Sequence, residues 1–464
     1  MLGRNSSQPA LFQMVDVEAL VPADHRLRKI DAVLDLGFVR EAVAACYSAG
    51  GRPGIDPELA LRMMLLGALY DLSDRELCDE IQMHAGMRWF CRLNFHDPVP
   101  DHSTLSRLRN ERWAESGLFD ELMDKVIRQC SEAGLISGRH LSVDGTEVRA
   151  DASMKSLAQR GPRPPSDPDP PKPAGDGKQQ EPKPAGEWKG RGEHYTNETH
   201  FSTTDPDARL FRKGDNREAR LSYLAHDLID TKSRVILRRR PSPAISSAER
   251  YTALEMLDEV LEAQERLGLP NRPEILTGDS SYGATGFITE VLDREIDPHV
   301  PLLAKPVTEE VPTWKRRTFN LCRKRARNRK VKEAQARNRV RKIQKTRGYA
   351  VSRRLRIRSE HVFAEAKNHH GLGRARRRGR HRLSDQCTLS AVAQNLKRLV
   401  AFLGRSGGQP AAAAMGRHPI ASYRLRGARI RAFLAVAWAI FIPNGFSPIS
   451  VAPPSLTNQG AHPI

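Results

Sequence analysis

The sequence has few cysteines, no long apolar segment and too few acidic residues to balance its basic ones. Its six cysteines form no CxxC pair, so neither a zinc site nor a disulfide framework is indicated, and a reducing cytoplasm is expected. The N-terminal segment lacks the apolar stretch of an export signal. The apolar run at residues 432–442 has 11 residues, whereas a membrane-spanning helix needs about 20. No membrane partner is therefore expected.

Positive charge is the main compositional feature. Lys and Arg number 75 against 55 Asp and Glu, which gives a net charge of +20 and a pI near 10.0. Residues 312–383 alone hold 27 Lys and Arg against three acids, so the whole excess lies there. Such a segment can be a solvated helix face or a loosely binding tail, and the protein could simply be soluble and basic. We favour phosphate binding, because counterion release makes dense basic segments bind DNA strongly.

The first 135 residues are predicted to form an all-α N-terminal domain. One helix follows the acidic start at Asp56, and another follows Ser73, where Glu76 completes a capping box. A third helix, with basic residues that include Arg107 and Arg109, is predicted to begin at a cap near Ser103 or Thr104. These short helices could be a helix-turn-helix that reads DNA, or a plain bundle used for dimerisation.

Residues 136–405 are predicted to form a second domain of the α/β class, with a mixed sheet flanked by helices. Residues 160–194 hold nine prolines and almost no aliphatic residues, which indicates a disordered insertion within this domain. Two strands that turn at 230–233 come next, and a helix, a strand, a helix and a short strand at 299–303 follow. Residues 406–464 show little pattern and are interpreted as an irregular tail.

Three acidic residues occur in distinct contexts. Asp144 and Asp279 lie in or after short β-branched runs, and Glu360 lies near the start of a helical segment among the arginines. Either aspartate could also be an ordinary turn residue. Carboxylates from two strands and a helix suit the binding of divalent metal ions against a phosphodiester, since Mg²⁺ prefers oxygen ligands. Two such ions about 4 Å apart are well placed to cleave a phosphodiester.

The helix around Glu360 has two faces. Arg356, Glu360 and Lys367 fall along one line of the helix, whereas Val362 and Phe363 fall on another that should pack on the sheet. An Arg–Glu pair at this spacing is commonly a surface salt bridge. Among so many arginines, a metal ligand between two contacts to the DNA backbone is the better interpretation.

Several other residues remain candidates. Glu365 is the next acid to consider if Glu360 is not the metal ligand, and four further acids could replace Asp144: Glu147, Asp151, Asp205 and Asp227. The histidines His361, His369 and His370 are expected to contact DNA or to lie at the surface.

With these residues in view, the chain resembles bacterial insertion-sequence transposases of the DDE class. One group of them is marked by Y-x2-R-x3-E-x6-K, and Arg356, Glu360 and Lys367 match its last three positions, while Arg353 stands where the Tyr would be. The segments VDGTEVRADASMKS and TGDSSYGATGF resemble the contexts of the two aspartates. The helical segment that ends in PDHSTLSRLRNERW resembles the N-terminal domain of these transposases. The likeness covers roughly residues 10–405.

The resemblance implies an RNase H-like catalytic domain. It implies that Asp144, Asp279 and Glu360 are catalytic and bind two Mg²⁺ or Mn²⁺ ions. It implies hydrolysis at the transposon ends and transfer of the freed 3′-hydroxyl into target DNA, by a homodimer in a synaptic complex associated with the nucleoid. The expected partner is double-stranded DNA, and the expected DNA contacts are Arg356, Lys367, Arg374, Arg376, Arg377, Arg107 and Arg109.

Two rival functions stay open at this stage. A nuclease with the same fold would cut DNA without joining it, although the helical N-terminal region argues mildly against this. A DNA-binding protein descended from a transposase would have lost metal-dependent cleavage altogether.

Overall fold

The structure is a computed structural model, and it describes residues 16–48, 50, 54–160, 195–214, 218–245, 247–303, 310–313 and 321–405. The predicted insertion, except for its first residue, and the predicted irregular tail lie outside these residues. The N-terminal part is helical, as predicted. Its helices are α1 (Val17–Leu20), α2 (Arg26–Asp31), α3 (Val39–Ala42), α4 (Pro57–Tyr70), α5 (Asp74–Met83), α6 (Ala85–Phe90), α7 (His102–Arg107) and α8 (Leu118–Glu132).

Local hydrogen bonds explain where these helices begin. Asp56 caps α4, and the predicted capping box of Ser73 and Glu76 is present at the start of α5. The prediction of a Ser or Thr cap for α7 is wrong, because Asp101 accepts a 2.8 Å hydrogen bond from the backbone N–H of Ser103. The carboxylate of Asp101 is therefore the acceptor that satisfies this first turn.

The second part is built on a mixed sheet. Its strands are β1 (His140–Arg149), β4 (Arg209–Phe211), β5 (Arg220–Asp230), β6 (Ile236–Pro243), β7 (Ile275–Thr277) and β8 (Asp297–His299). The last strand lies two residues earlier than the predicted strand at 299–303. A separate pair, β2 (Leu157–Gln159) and β3 (His200–Ser202), lies on either side of the undescribed insertion.

The strand order defines the fold. Strand β5 pairs antiparallel with β1 on one side and with β6 and β4 on the other, while β7 and β8 add in parallel beyond β1. Strand β1 is thus the central strand, with an antiparallel meander on one side and parallel strands on the other. This is the expected RNase H-like sheet. The predicted α/β fold class, preceded by an all-α region, is therefore confirmed.

Helices cover both faces of this sheet. They are α9 (Ala248–Glu262), α10 (Thr285–Asp293), α11 (Leu321–Gln344), α12 (Arg347–Leu355), α13 (Ile357–His369) and α14 (Arg380–Arg405). The basic segment at 312–383 is thus largely helical where it is described. As predicted, Val362 and Phe363 are buried on the inner side of α13.

Helix α14 joins the two parts of the protein, because it packs against β6 and also against α8 and α4. Its buried Asn395 replaces a missing strand neighbour at the edge of β6. The Asn395 side chain accepts a 2.9 Å hydrogen bond from the N–H of Ile236 and donates a 2.8 Å bond to its carbonyl. Both backbone groups are buried, so leaving them unpaired would be costly.

A buried ion pair also fastens this helix to the sheet. Arg239 of β6 and Asp227 of β5 are almost completely inaccessible, and two parallel N–H···O bonds of 2.6 Å join them. The same guanidinium donates to Ser390 and Gln394 of α14. Asp227 is therefore occupied by a structural contact and is not available as a replacement for Asp144.

We predict that Asp227→Asn lowers the free energy of unfolding by about 3–5 kcal/mol, because it leaves the buried guanidinium of Arg239 without its counter-charge. Urea denaturation would measure the change, with Glu255→Gln at an exposed position of α9 as the control. Unchanged stability combined with loss of the expected DNA cleavage would return Asp227 to the catalytic candidates.

Candidate active site

The first candidate acid, Asp144, lies on the central strand at a half-buried position. Burial, together with the nearby charges of Asp279 and Glu249, raises the pKa of its carboxyl group to about 7. A 2.9 Å hydrogen bond from the N–H of Gly145 and the charge of Arg356 act in the opposite direction. Asp144 thus carries its charge in a place where water screens it poorly.

The second candidate, Asp279, is placed beside Asp144 by strand register. Strands β1 and β7 are parallel neighbours, and Ser142 of β1 pairs with Thr277 of β7. Each aspartate comes two residues after this pair, at the same end of the sheet. One carboxylate oxygen of Asp279 accepts hydrogen bonds from the N–H and hydroxyl of Ser281, at 2.8 and 2.6 Å. These bonds hold the carboxylate at the start of the turn that follows β7.

The third candidate, Glu360, is positioned by the packing of α13 on β1. The hydroxyl oxygens of Ser142 and Ser359 are 2.8 Å apart in a buried contact, which places the backbone of Glu360 next to the central strand. The carboxylate of Glu360 is half exposed, and its Oε1 lies 3.1 Å from Nη2 of Arg356. Arg356 therefore acts on both acids. It forms an ion pair with Glu360, and its charge lowers the pKa of Asp144.

The structure brings Asp144 and Asp279 together and packs the helix of Glu360 against the strand of Asp144, without drawing the three acids into a ready-made metal centre. Among the residues that the structure describes, no group of three His, Cys, Asp or Glu side chains is close enough to hold a metal ion. The donor set nevertheless fits a hard divalent cation, because it consists of carboxylate oxygens with an excess of negative charge. The buried hydroxyl of Tyr282 reports this excess, since burial and then Glu249, Asp144 and Asp279 raise its pKa.

Glu249 is the residue that sequence reasoning missed. It lies in the first turn of α9, and a Cβ atom added to Gly145 would come within 2.9 Å of its Oε1. The absence of a side chain at Gly145 is what allows this carboxylate to approach the strand. The sequence offered one usable signal, the Asp-Gly step in the middle of a strand, which marks close approach by another group.

The remaining acidic candidates have structural contacts. Glu365 lies 2.7 Å from Lys397 and 2.8 Å from Arg398, and these cations hold its pKa well below the usual range despite burial. The other acids are also engaged: Asp205 with the hydroxyl of Tyr223, Glu147 with Ser222, and Asp151 with Arg374. These contacts favour Glu360 over Glu365 as the third acid.

Comparison with known proteins shows the family to which this chain belongs. Residues 137–396 match the family described as "Transposase DDE domain", and residues 15–111 match "Transposase domain (DUF772)". The chain belongs to the DDE transposase family. It is therefore a DNA transposase, in an enzyme class that uses divalent metal ions, and DNA is its partner. The family match does not test the spacing around Glu360, which stays a prediction.

A solved piggyBac transposase synaptic complex with hairpin DNA also resembles the transposase. The identity is 9%, over 92% of this chain and 87% of that chain, with a TM-score of 0.32. A likeness of this strength supports no argument about the site. Among the described residues, no helix of the transposase is long and apolar enough to cross a membrane.

A cationic cavity of about 820 Å³ opens beyond the far end of β1. It lies between α4 and α5 of the N-terminal part and the loop after α13, and its cationic lining includes Arg149, Lys213, Lys367 and Arg374. Burial lowers the pKa of Lys367, and the neighbouring charges of Lys213 and Arg149 lower it further, whereas the charge of Glu147 acts in the opposite direction. Crowded cations of this kind are relieved by a bound anion, so the cavity suits a phosphate group.

Other predicted DNA contacts of the transposase are engaged within the protein. Arg376 contacts Asp71 and the carbonyl of Leu72, and Arg109 is buried against Asp74 at 2.9 Å. Arg377 donates to Asn110 at 3.1 Å, and burial lowers its pKa to about 9. Arg376 and Arg377 thus fasten the loop at 371–377 to the N-terminal part, whereas Arg109 pairs within that part. Arg107 is exposed.

The expectation that His370 contacts DNA or lies at the surface is wrong. It is only 3% exposed, and its Nδ1 donates a 2.7 Å hydrogen bond to the carbonyl of Ala68 in α4. The ring therefore ties the end of α13 to the N-terminal part. His361 and His369 are exposed, in agreement with the expectation.

We predict that, in metal-free buffer, Asp144→Asn raises the melting temperature of the transposase, because it removes a poorly solvated charge. The folded protein holds this proton up to about pH 7, whereas a free Asp carboxyl group loses it near pH 3.8. Stability from this group therefore falls as the pH rises between those values. The advantage of the variant should grow from about pH 4 to pH 7 and level off above. Scanning fluorimetry with EDTA measures it, and an advantage that is constant across this range would contradict the prediction.

Proposed function

We propose that Asp144, Asp279 and Glu360 hold two divalent cations, Mg²⁺ or Mn²⁺, at this site. When bound, such ions lower the pKa of water and stabilise the charge that develops on the attacking and leaving oxygens. The proposal is supported above all by the register of β1 and β7, which puts two aspartates at the same end of adjacent parallel strands. The contact between Ser142 and Ser359 places the backbone of Glu360 next to β1 near that end of the strands.

The reaction we propose has two steps of the same chemistry. Water attacks the phosphodiester at each transposon end, and the 3′-oxygen leaves as a free hydroxyl. That hydroxyl then attacks a phosphodiester of the target DNA, displacing the target's own 3′-oxygen, and no covalent bond to the protein forms. Asp144, Asp279 and Glu360 orient the reacting groups, and Arg356 turns from Glu360 to a DNA phosphate. The exposure of Glu360 and its single 3.1 Å ion pair make that exchange feasible.

The DNA strand that we propose runs from the acids to the cationic cavity. Arg149 lies five residues further along β1 than Asp144, which corresponds to about 17 Å along a strand. A phosphate a few nucleotides from the cleavage point would therefore reach Lys367, Arg149, Lys213 and Arg374. Arg107 is a further exposed contact on the N-terminal part. Arg109, Arg376 and Arg377 are left out of this surface because they are engaged in the protein. Arg374 is kept on it because its side chain is 68% exposed beside its 2.9 Å ion pair with Asp151.

We also propose that a homodimer carries out the reaction, because two transposon ends must be cut and joined to one target. Double-stranded DNA of the element ends and of the target would be its partners, in the nucleoid of a bacterial cytoplasm. The six cysteines, all free in the structure, are in keeping with a reducing compartment.

We predict that Glu360→Gln abolishes cleavage of DNA that carries the element ends while leaving DNA binding intact, because it removes one carboxylate charge and keeps the shape of the side chain. Labelled end DNA in Mg²⁺ reports cleavage, and a gel-shift assay reports binding. Glu255→Gln is the matched control. Full activity of the Glu360 variant would overturn the site assignment, and wild-type protein that cuts without joining ends to a target would indicate a nuclease.

A second prediction concerns Lys367. Lys367→Ala should weaken DNA binding for every sequence tested and should reduce the slope of log K against log salt by about 1, because one phosphate contact is lost. The control is Lys232→Ala, an exposed lysine in the turn at the opposite end of β5. Equal salt slopes for the wild type and the Lys367 variant would exclude the cavity from the DNA path.

A further inference from the structure

A fourth carboxylate, that of Glu249, faces the proposed metal site. The first turn of α9 brings it to the central strand, where only a hydrogen atom at Gly145 separates it from the backbone. Burial raises the pKa of Glu249, and Asp279 is the next largest cause. The charge of Glu249 in turn raises the pKa of Asp144. Three acids therefore share one poorly solvated region, although the motif that marks this family contains no acid at this place.

A buried histidine makes a second, independent observation at the same point. Residues Gly145 and His226 pair directly across β1 and β5, and the Nδ1 atom of His226 also lies 2.9 Å from the Cβ position of Gly145. Its other ring nitrogen, Nε2, lies 2.8 Å from the hydroxyl of Ser242. Nδ1 is buried and has no hydrogen-bond partner among the described residues.

The Nδ1 atom of His226 is thus a buried polar atom beside Glu249 that lacks a partner in the described part of the chain. Burial lowers the pKa of His226 to about 3, so the ring is neutral near pH 7. A neutral ring nitrogen that is buried without a partner is unfavourable. It points to a polar ligand or a bound water next to Glu249 in the loaded site.

A purely structural role for Glu249 is the competing explanation. The polar groups of Ser281 and Tyr282 lower its pKa, so it could simply hold the turn after β7 in place. A neutral side chain could make the same polar contacts without bringing another negative charge close to Asp279 and Asp144. The charge of Glu249 is therefore explained better by a cation than by the turn.

We propose that Glu249 is a fourth carboxylate of the active site and that it donates an oxygen ligand to the divalent cation nearest Asp279. This inference rests on the proposed function, because it assumes that the cations bind between Asp144, Asp279 and Glu360. It adds a ligand from α9, a helix that the three-acid motif does not include.

Direct metal binding tests the inference without requiring activity. Mn²⁺ is titrated into the full-length protein in the absence of DNA, and free Mn²⁺ is followed by electron paramagnetic resonance. We expect Glu249→Gln to weaken Mn²⁺ binding about tenfold or more, or to lose one ion per chain. Its melting temperature in EDTA should be unchanged or higher. Glu255→Gln, on the exposed side of the same helix, should bind Mn²⁺ as the wild type does.

The competing explanation gives the opposite pattern. If Glu249 only holds the turn, Glu249→Gln will bind Mn²⁺ normally, and the inference is overturned. Asp144→Asn separates this failure from failure of the proposed function. Weakened binding in the Asp144 variant with normal binding in the Glu249 variant rejects the fourth ligand alone. Normal binding in the Asp144 variant, or none in the wild type, rejects the proposed metal site itself.

Discussion

The parallel pairing of β1 with β7 is the contact on which the active site depends. Three residue pairs join these strands, and the last of them, Ser142 with Thr277, sets both aspartates two residues further on. A slip of one residue would turn one aspartate to the opposite face of the sheet, because side chains alternate along a strand. Ser142 has a second function, since its hydroxyl meets Ser359 and so fixes where α13 crosses the sheet.

Charge is distributed unevenly in this transposase. Its net charge is +20, and yet in the region around Asp144 burial and the charge of Asp279 raise the pKa of both Asp144 and Glu249. Arg356 is the cation that acts on both Asp144 and Glu360. A strongly basic protein thus contains a small acidic region, which is the combination that the proposed function requires. Cleavage of DNA needs both, because the phosphodiester and the acids repel each other unless cations lie between them.

The N-terminal part is attached close to the site. His370, at the end of α13, donates to Ala68 of α4, and Arg376 contacts Asp71 at the end of that helix. Helix α14 packs on α8, α4 and β6 together. The helix that presents Glu360 and Lys367 is therefore fixed at its far end to the N-terminal domain. DNA bound to that domain would therefore directly affect the position of Glu360.

Much of this architecture could be predicted from local sequence. The capping box at Ser73, the strand pair that turns after Asp230 and the buried side of α13 all depend on residues close together in the chain. The strand predicted at 299–303 was misplaced by two residues, because boundaries respond to neighbouring strands as well as to composition. His370 was also misjudged, since nothing near it in sequence indicates that α4 will cover it.

Tertiary structure alone decided which charged residues are free to act. Asp227 and Glu365 look like Asp144 and Glu360 in sequence, but the partners that neutralise them, Arg239, Lys397 and Arg398, come from distant elements. Glu249 could not be recognised from the sequence for the same reason, because only folding brings the start of α9 against Gly145. Helices, strands and net charge arise from near neighbours along the chain. Burial and the pairing of charges depend on distances through space, which strand register and helix packing determine.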